Sequence, residues 1–195
     1  MDQNAIIKEF EYAQAILKGH FILSSGLYSN TYLQCARVLM NANRAEKLCK
    51  ALAHKIKQSL PKIKFDIIVS PAMGGIIVGY EMGRQLNIPS VFCERVNGVF
   101  TLRRGFNLPR NANVLVVEDV LTTGKSSKES FTCVEENGGQ VVALASLIDR
   151  STNPIDLGVP FISILKIEAK TYTKETLPDS LKNLEAVKPG SRNLV

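Results

Sequence analysis

Apolar positions change their rhythm near residue 65. Before it they recur at helical spacing or in short extended runs; after it, brief apolar runs alternate with helical segments. Ile6, Phe10, Ala13 and Leu17 predict an amphipathic helix over residues 5–17, with Gly19 as its stop. Residues 21–34 read as two extended runs around a Ser24-Ser25-Gly26 turn. Asn43 and Glu46 form a capping box for a second helix, whose apolar face is Ala45, Leu48, Cys49, Leu52, Ala53 and Ile56.

From Phe65 onward the reading is α/β. Strands are predicted at 66–70, 89–93, 114–118, 141–148 and 161–165, with a tight loop at 71–75 and a helix over 76–86. Strands alternating with helices imply a mostly parallel sheet covered on both faces. Ligands of such sheets sit outside the carboxyl ends of the strands, where the 71–75 loop and the end of the 114–118 strand would meet. Residues 94–109 show no convincing period and carry Arg95, Arg103 and Arg104, so they are expected to form a long functional loop. The tail, with Pro178, Pro189 and Gly190, reads as a short helix and an irregular end.

The strongest chemistry lies at Val114-Leu115-Val116-Val117-Glu118-Asp119, which runs into Val120-Leu121-Thr122-Thr123-Gly124-Lys125-Ser126-Ser127. An apolar strand delivers two acids to the rim of a sheet, and small residues then open a helix. The free N–H groups and positive dipole end of that helix suit a phosphate. The two acids suit hydroxyls or a metal. Gly124-Lys125-Ser126 is not a Walker A loop, because Asp119 stands where that motif needs its first glycine.

Composition narrows the field. A chain of 195 residues suits a single domain over 1–195, and no apolar run is long enough to span a membrane. The N-terminus lacks a basic region followed by an apolar one, so a cytoplasmic protein is expected. Cys35, Cys49, Cys93 and Cys133 are irregularly spaced and His20 and His54 are the only histidines, which argues against zinc or a disulfide framework. The net charge of +6 carries no stripe of cations interleaved with aromatics, so an anionic small substrate explains it without nucleic acid.

The 114–127 stretch resembles the phosphoribosyl-pyrophosphate (PRPP) motif of the type I phosphoribosyltransferases. Nearly the whole chain is similar to the orotate-using members of that family. Phe21-Ile22-Leu23-Ser24-Ser25-Gly26 followed by Ser29 and Tyr32 resembles their N-terminal motif. Ser70-Pro71-Ala72-Met73-Gly74-Gly75 resembles their pyrophosphate loop, which often holds a non-proline cis peptide. Leu147-Ile148-Asp149-Arg150 resembles their strand ending in the arginine that binds the orotate carboxylate.

The resemblance implies a type I phosphoribosyltransferase fold with a small N-terminal hood built partly from residues 1–40, and a mobile loop at 94–109. It implies transfer of phosphoribosyl from PRPP to orotate with Mg2+, giving orotidine 5′-phosphate and pyrophosphate in pyrimidine synthesis, by a homodimer. PRPP would meet Glu118, Asp119, Val120, Leu121, Thr122, Thr123, Gly124, Lys125, Ser126, Met73 and Gly74. Orotate would meet Thr122, Arg150, Tyr32, Ser25 and Gly26. Asp119, with Arg95, Arg103 and Arg104, would serve catalysis; the arginines are chosen for charge and location. Magnesium would travel mainly with PRPP and its pyrophosphate rather than in a protein cage. Where a better-known branch has lysines, this chain has Ser24 and Gly74, and Lys125 is larger than the usual residue; it either reaches the 5-phosphate or points into solvent. A second branch carries the Ser-Ser-Gly and Leu-Arg-Arg-Gly-Phe forms. Two other readings share the PRPP motif: a purine or xanthine phosphoribosyltransferase, and a PRPP-sensing regulator. The length leaves no room for a helix-turn-helix domain or a fused decarboxylase.

Overall fold

A computed structural model of the chain describes residues 1–23, 26–167 and 170–188. Helix α1 (Gln3–Tyr12) starts where the Asp2 carboxylate accepts the Ala5 N–H at 2.7 Å. It ends earlier than its apolar spacing predicts. Gln14 takes a left-handed φ of 50°, and the chain turns into β1 (Ile16–Ile22). Leu17 and Gly19 therefore lie on a strand, not in or after a helix. The reason is long-range: β1 pairs antiparallel with β2 (Tyr28–Leu33), Leu17 opposite Tyr32, and the register breaks between Lys18 and Phe21, around Gly19.

Helix α2 (Cys35–Leu39) was not anticipated. Helix α3 (Ala42–Ser59) buries the six predicted apolar residues, but its cap is Asn41, whose side chain accepts the Arg44 N–H at 3.0 Å. Glu46 instead pairs with Arg84 at 2.7 Å.

The main sheet runs β5-β4-β3-β6-β7-β8. Its strands are β3 (Ile67–Pro71), β4 (Ser90–Val96), β5 (Val99–Leu102), β6 (Asn113–Leu121), β7 (Gln140–Asp149) and β8 (Phe161–Lys166). All neighbours are parallel except β4 and β5. Leu115 and Val117 of β6 pack with α3 and α4 (Gly75–Leu86), while Val114 and Val116 pack with α5 (Lys125–Glu136). Both faces are thus covered, as a parallel sheet requires. The same alternation sends Asp119 toward the α4 side and Glu118 toward the α5 side.

The segment expected as one irregular loop is a hairpin for much of its length. β4 and β5 join through Asn97-Gly98, both at positive φ (51° and 85°), with Val96 opposite Val99. Irregular chain begins only after Leu102. A second sheet, β1-β2-β9, is completed by β9 (Thr171–Tyr172), and the short α6 (Asp179–Lys182) leads to Val187, whose backbone bonds His20 and Ile22 of β1.

Candidate active site

Strand β6 carries the two acids further inward than a strand over 114–118 predicts. Its ladder with β7 continues through Glu118 opposite Ser146 to Leu121 opposite Asp149, so the acids lie inside the strand and the rim begins at Thr122. Glu118 is buried, and Ser127 Oγ of α5 donates to its Oε1 at 2.5 Å. Burial pushes the Glu118 carboxyl up to about 7; the Ser127 hydrogen bond opposes this and the Asp119 charge adds to it. Ser127 was missed in the sequence, where no period links a strand acid to a residue one turn into the next helix.

This sets a pH dependence of stability. The folded value, about 7, lies above the ordinary 4.5, so between them the folded protein holds a proton that the unfolded chain releases. The contribution is fully present below pH ~4.5 and is lost as pH rises toward ~7. Glu118→Gln is expected to remove this loss. Measured by thermal melts, its stability relative to wild type should improve between pH 5 and 8, by at most about 3 kcal/mol. A difference that does not change with pH would mean Glu118 is ionised throughout.

At the end of β6 Val120 is half-buried and Leu121 buried; past the strand Gly124 is buried, and Thr122, Thr123 and Lys125 are exposed around the start of α5, with Ser126 half-buried. Lys125 points into solvent and reaches Glu129 at 4.0 Å, one helical turn on.

Asp119 is half-buried against the 71–75 loop. A Cβ built on Gly74 would stand 2.8 and 2.9 Å from the two Asp119 carboxylate oxygens, so no side chain fits at 74 while Asp119 stays in place. The Ala72–Met73 peptide of this loop is cis, and Met73 is exposed. Ala72 N–H donates to the Cys93 carbonyl at 2.8 Å, tying the loop to β4. Burial raises the Asp119 carboxyl, against the backbone N–H groups of Val120 and Asp119 itself.

The third wall comes from the end of β7 and from β2 with the start of α2. Arg150 N–H donates to the Leu121 carbonyl at 2.8 Å, and Arg150 Nε is buried with no hydrogen-bond partner among the described residues. Burial lowers the Arg150 guanidinium from its ordinary value, and the nearby Tyr32 and Cys35 oppose that. Asp149 beside it is buried, its side chain accepting the Ser151 N–H at 2.8 Å, so the pair is not a surface charge. Tyr32 has its phenol raised by burial and lies close enough to feel both Arg150 and Asp119. Cys35, another residue the sequence did not flag, points its thiol at the Asp119 carbonyl at 3.9 Å. Gly26 is exposed beyond β1; Ser24 and Ser25 lie outside the described residues.

The arginines do not stand free. Arg95 pairs with Glu129, donates to the Gly98 carbonyl and lies over the Phe100 ring at 4.0 Å. Arg104 pairs with Glu94 at 3.1 Å, and Arg103 approaches the same oxygen at 3.9 Å.

Residues 38–179 match the family described as phosphoribosyl transferase domain. Over 195 residues the chain is 55% identical to the orotate phosphoribosyltransferase of Rhizorhabdus wittichii, covering all of this chain and 99% of the relative. It is 53% identical over 195 residues to that of Sphingopyxis alaskensis, with the same coverage. Among solved structures, the crystal structure of orotate phosphoribosyltransferase from Aeropyrum pernix shares the fold at a TM-score of 0.69 and 24% identity, over 83% of this chain and 93% of that one. The chain belongs to the phosphoribosyltransferase family and, within it, to the orotate phosphoribosyltransferases.

Proposed function

We propose that this chain transfers the 5-phosphoribosyl group of PRPP to orotate, releasing pyrophosphate and orotidine 5′-phosphate for UMP synthesis. The observation that carries the choice of base is Arg150: a half-buried arginine whose Nε is buried without a partner among the described residues, beside the PRPP turn, calls for a carboxylate. Purines carry none. Tyr32 and, by resemblance, Thr122, Ser25 and Gly26 complete the base side.

On the sugar side, residues 118–126 receive the phosphoribosyl group. The start of α5 meets the 5-phosphate, Asp119 the ribose hydroxyls, and the backbone of Met73 and Gly74 the pyrophosphate. Glu118 acts there with one oxygen already held by Ser127. The bond from the anomeric carbon to pyrophosphate breaks while one to the orotate nitrogen forms, and the sugar becomes cationic between them. A carboxylate at Asp119 favours that charge. Arg103 and Arg104, with Arg95 behind them, balance the departing pyrophosphate.

Magnesium enters with the pyrophosphate as part of the substrate. Among the described residues no cluster of three His, Cys, Asp or Glu side chains gathers around a metal position, whereas a magnesium ion that keeps its waters and phosphate oxygens needs only one carboxylate nearby. Asp119 fits that part. The protein works as a homodimer in this reading; Met73, Ile77 and Tyr80 support it, because they leave an exposed apolar row along α4 beside the pyrophosphate loop. No helix among the described residues is long and apolar enough to cross a membrane.

Incubation with PRPP, magnesium and one base at a time decides the matter. Pyrophosphate is expected to appear with orotate and not with adenine, hypoxanthine or xanthine. Release with a purine alone would replace orotate as substrate, and release with none would favour a PRPP-sensing regulator.

A further inference from the structure

The loop arginines face a carboxylate of their own chain. Glu94 is on β4, directly after Cys93, whose carbonyl anchors the pyrophosphate loop through Ala72 N–H at 2.8 Å. Its side chain is 21% exposed, against 58% and 59% for Arg103 and Arg104. Arg104 Nη2 donates to Oε2 at 3.2 Å, whereas Oε1 is buried with no hydrogen-bond partner among the described residues, with Arg104 Nε 3.1 Å and Arg103 Nη1 3.9 Å away as ion pairs only.

The rest of the loop tip is arranged around this contact. Phe106 N–H donates to the Arg103 carbonyl at 3.0 Å, closing a turn whose central residues, Arg104 and Gly105, have φ of 61° and 76°. Left-handed backbone is unfavourable for arginine, so its side-chain contacts must help hold it there. Those contacts are Glu94 and the Phe92 ring, 5.6 Å from the guanidinium; Phe106 in turn packs edge-on against Phe92 at 5.3 Å. The carboxylate thus holds two cations next to the loop that approaches pyrophosphate. A pyrophosphate dianion or trianion carries more charge than one glutamate and outcompetes it, but only after the existing pairs are broken.

We propose that Glu94 is a resting counter-ion for Arg103 and Arg104, a positioning residue that weakens PRPP binding by competing with pyrophosphate for the same guanidinium groups. This rests on the reading that those arginines serve the pyrophosphate. It gives an unusual sign: removing a half-buried, ion-paired acid next to the site strengthens substrate binding. A merely structural Glu94 would weaken it or leave it unchanged.

The test is Glu94→Gln, with the KM for PRPP and the Kd of magnesium pyrophosphate from calorimetry. Both are expected to fall about threefold, the size of an exposed ion pair, with the KM for orotate unchanged. Glu94→Asp, which keeps the charge but shortens its reach, should fall between wild type and Gln, and it carries the test if the Gln variant does not fold. Arg104→Ala separates the two ideas. If it loses turnover while folded Glu94→Gln shows an unchanged or higher KM for PRPP, the resting counter-ion is overturned and the pyrophosphate role of Arg104 stands. If Arg104→Ala turns over normally, that role falls and the competition proposal falls with it. In an Arg104→Ala background, adding Glu94→Gln should give a smaller gain in affinity, because only Arg103 remains to be released; a gain as large as in the wild-type background would also overturn the proposal.

Discussion

Asp119→Asn is expected to lower kcat by about 10²–10³-fold while the protein keeps its fold. The argument rests on where the chain places this charge. Asp119 sits on the α4 side of β6, half-buried against Gly74, and only backbone N–H groups oppose the cost of its burial. No cation forms an ion pair with it among the described residues. A carboxylate kept desolvated in this way contributes little to stability and is available to ribose hydroxyls and to a developing cation. Asparagine has the same shape and removes only the charge, so the thermal midpoint should stay level or rise slightly. That combination separates a functional role from a structural one. Gly74→Ala is a companion test: its methyl group would stand less than 3 Å from both carboxylate oxygens and must displace them. It should lower turnover in the same direction by displacing the Asp119 carboxylate, with no ionisable residue replaced. Steady-state kinetics beside thermal melts decide it, and near-wild-type turnover in Asp119→Asn would remove this residue from the chemistry.

The parts of this fold that were legible in the sequence are those whose signal is local. The six buried residues of α3 follow one helical face, and β3, β7 and β8 are short apolar runs between turns. The acid pair, the 71–75 loop and Arg150 were found because each sits at or near the carboxyl end of such a run. What was illegible depends on pairing at a distance. Leu17 has helical spacing from Ala13, yet its backbone belongs to a ladder with Tyr32. Asn97-Gly98 is a hairpin signal, but the arginines and polar positions around it hid the apolar strand Val99–Leu102. The same limit applies inside the site. The sequence supplies Glu118, Ser127, Glu94 and Arg104, but only the fold shows that each acid already has a partner. Lys125 shows the same limit: its motif position leaves it either reaching the 5-phosphate or pointing into solvent, and only the fold shows an exposed side chain 4.0 Å from Glu129.

Arg150→Ala is expected to raise the KM for orotate by about 10–100-fold, with a much smaller change for PRPP. A hydrogen bond to a charged group contributes about 1.5–3 kcal/mol, and each 1.4 kcal/mol is about tenfold in affinity. Burial makes the upper part of that range the better expectation, because the guanidinium has already lost part of its water and Nε has gained no partner among the described residues in return. The orotate carboxylate supplies what is missing, and its binding relieves a cost that the free protein carries. Arg150→Lys should not rescue the loss, since an ammonium cannot present the planar fork that binds a carboxylate through two parallel hydrogen bonds. Truncation also removes a partly desolvated cation whose Nε has no partner among the described residues, so the alanine variant should be no less stable than wild type. The distinction between substrates follows from position: among the described residues, the hydrogen bond that links Arg150 to the PRPP turn is a backbone one, N–H to the Leu121 carbonyl, and alanine keeps it. Titrating each substrate against wild type and both variants tests this. Equal losses for PRPP and orotate would mean that Arg150 shapes the turn rather than reading the base, and the assignment of orotate would then have to rest on the relatives alone.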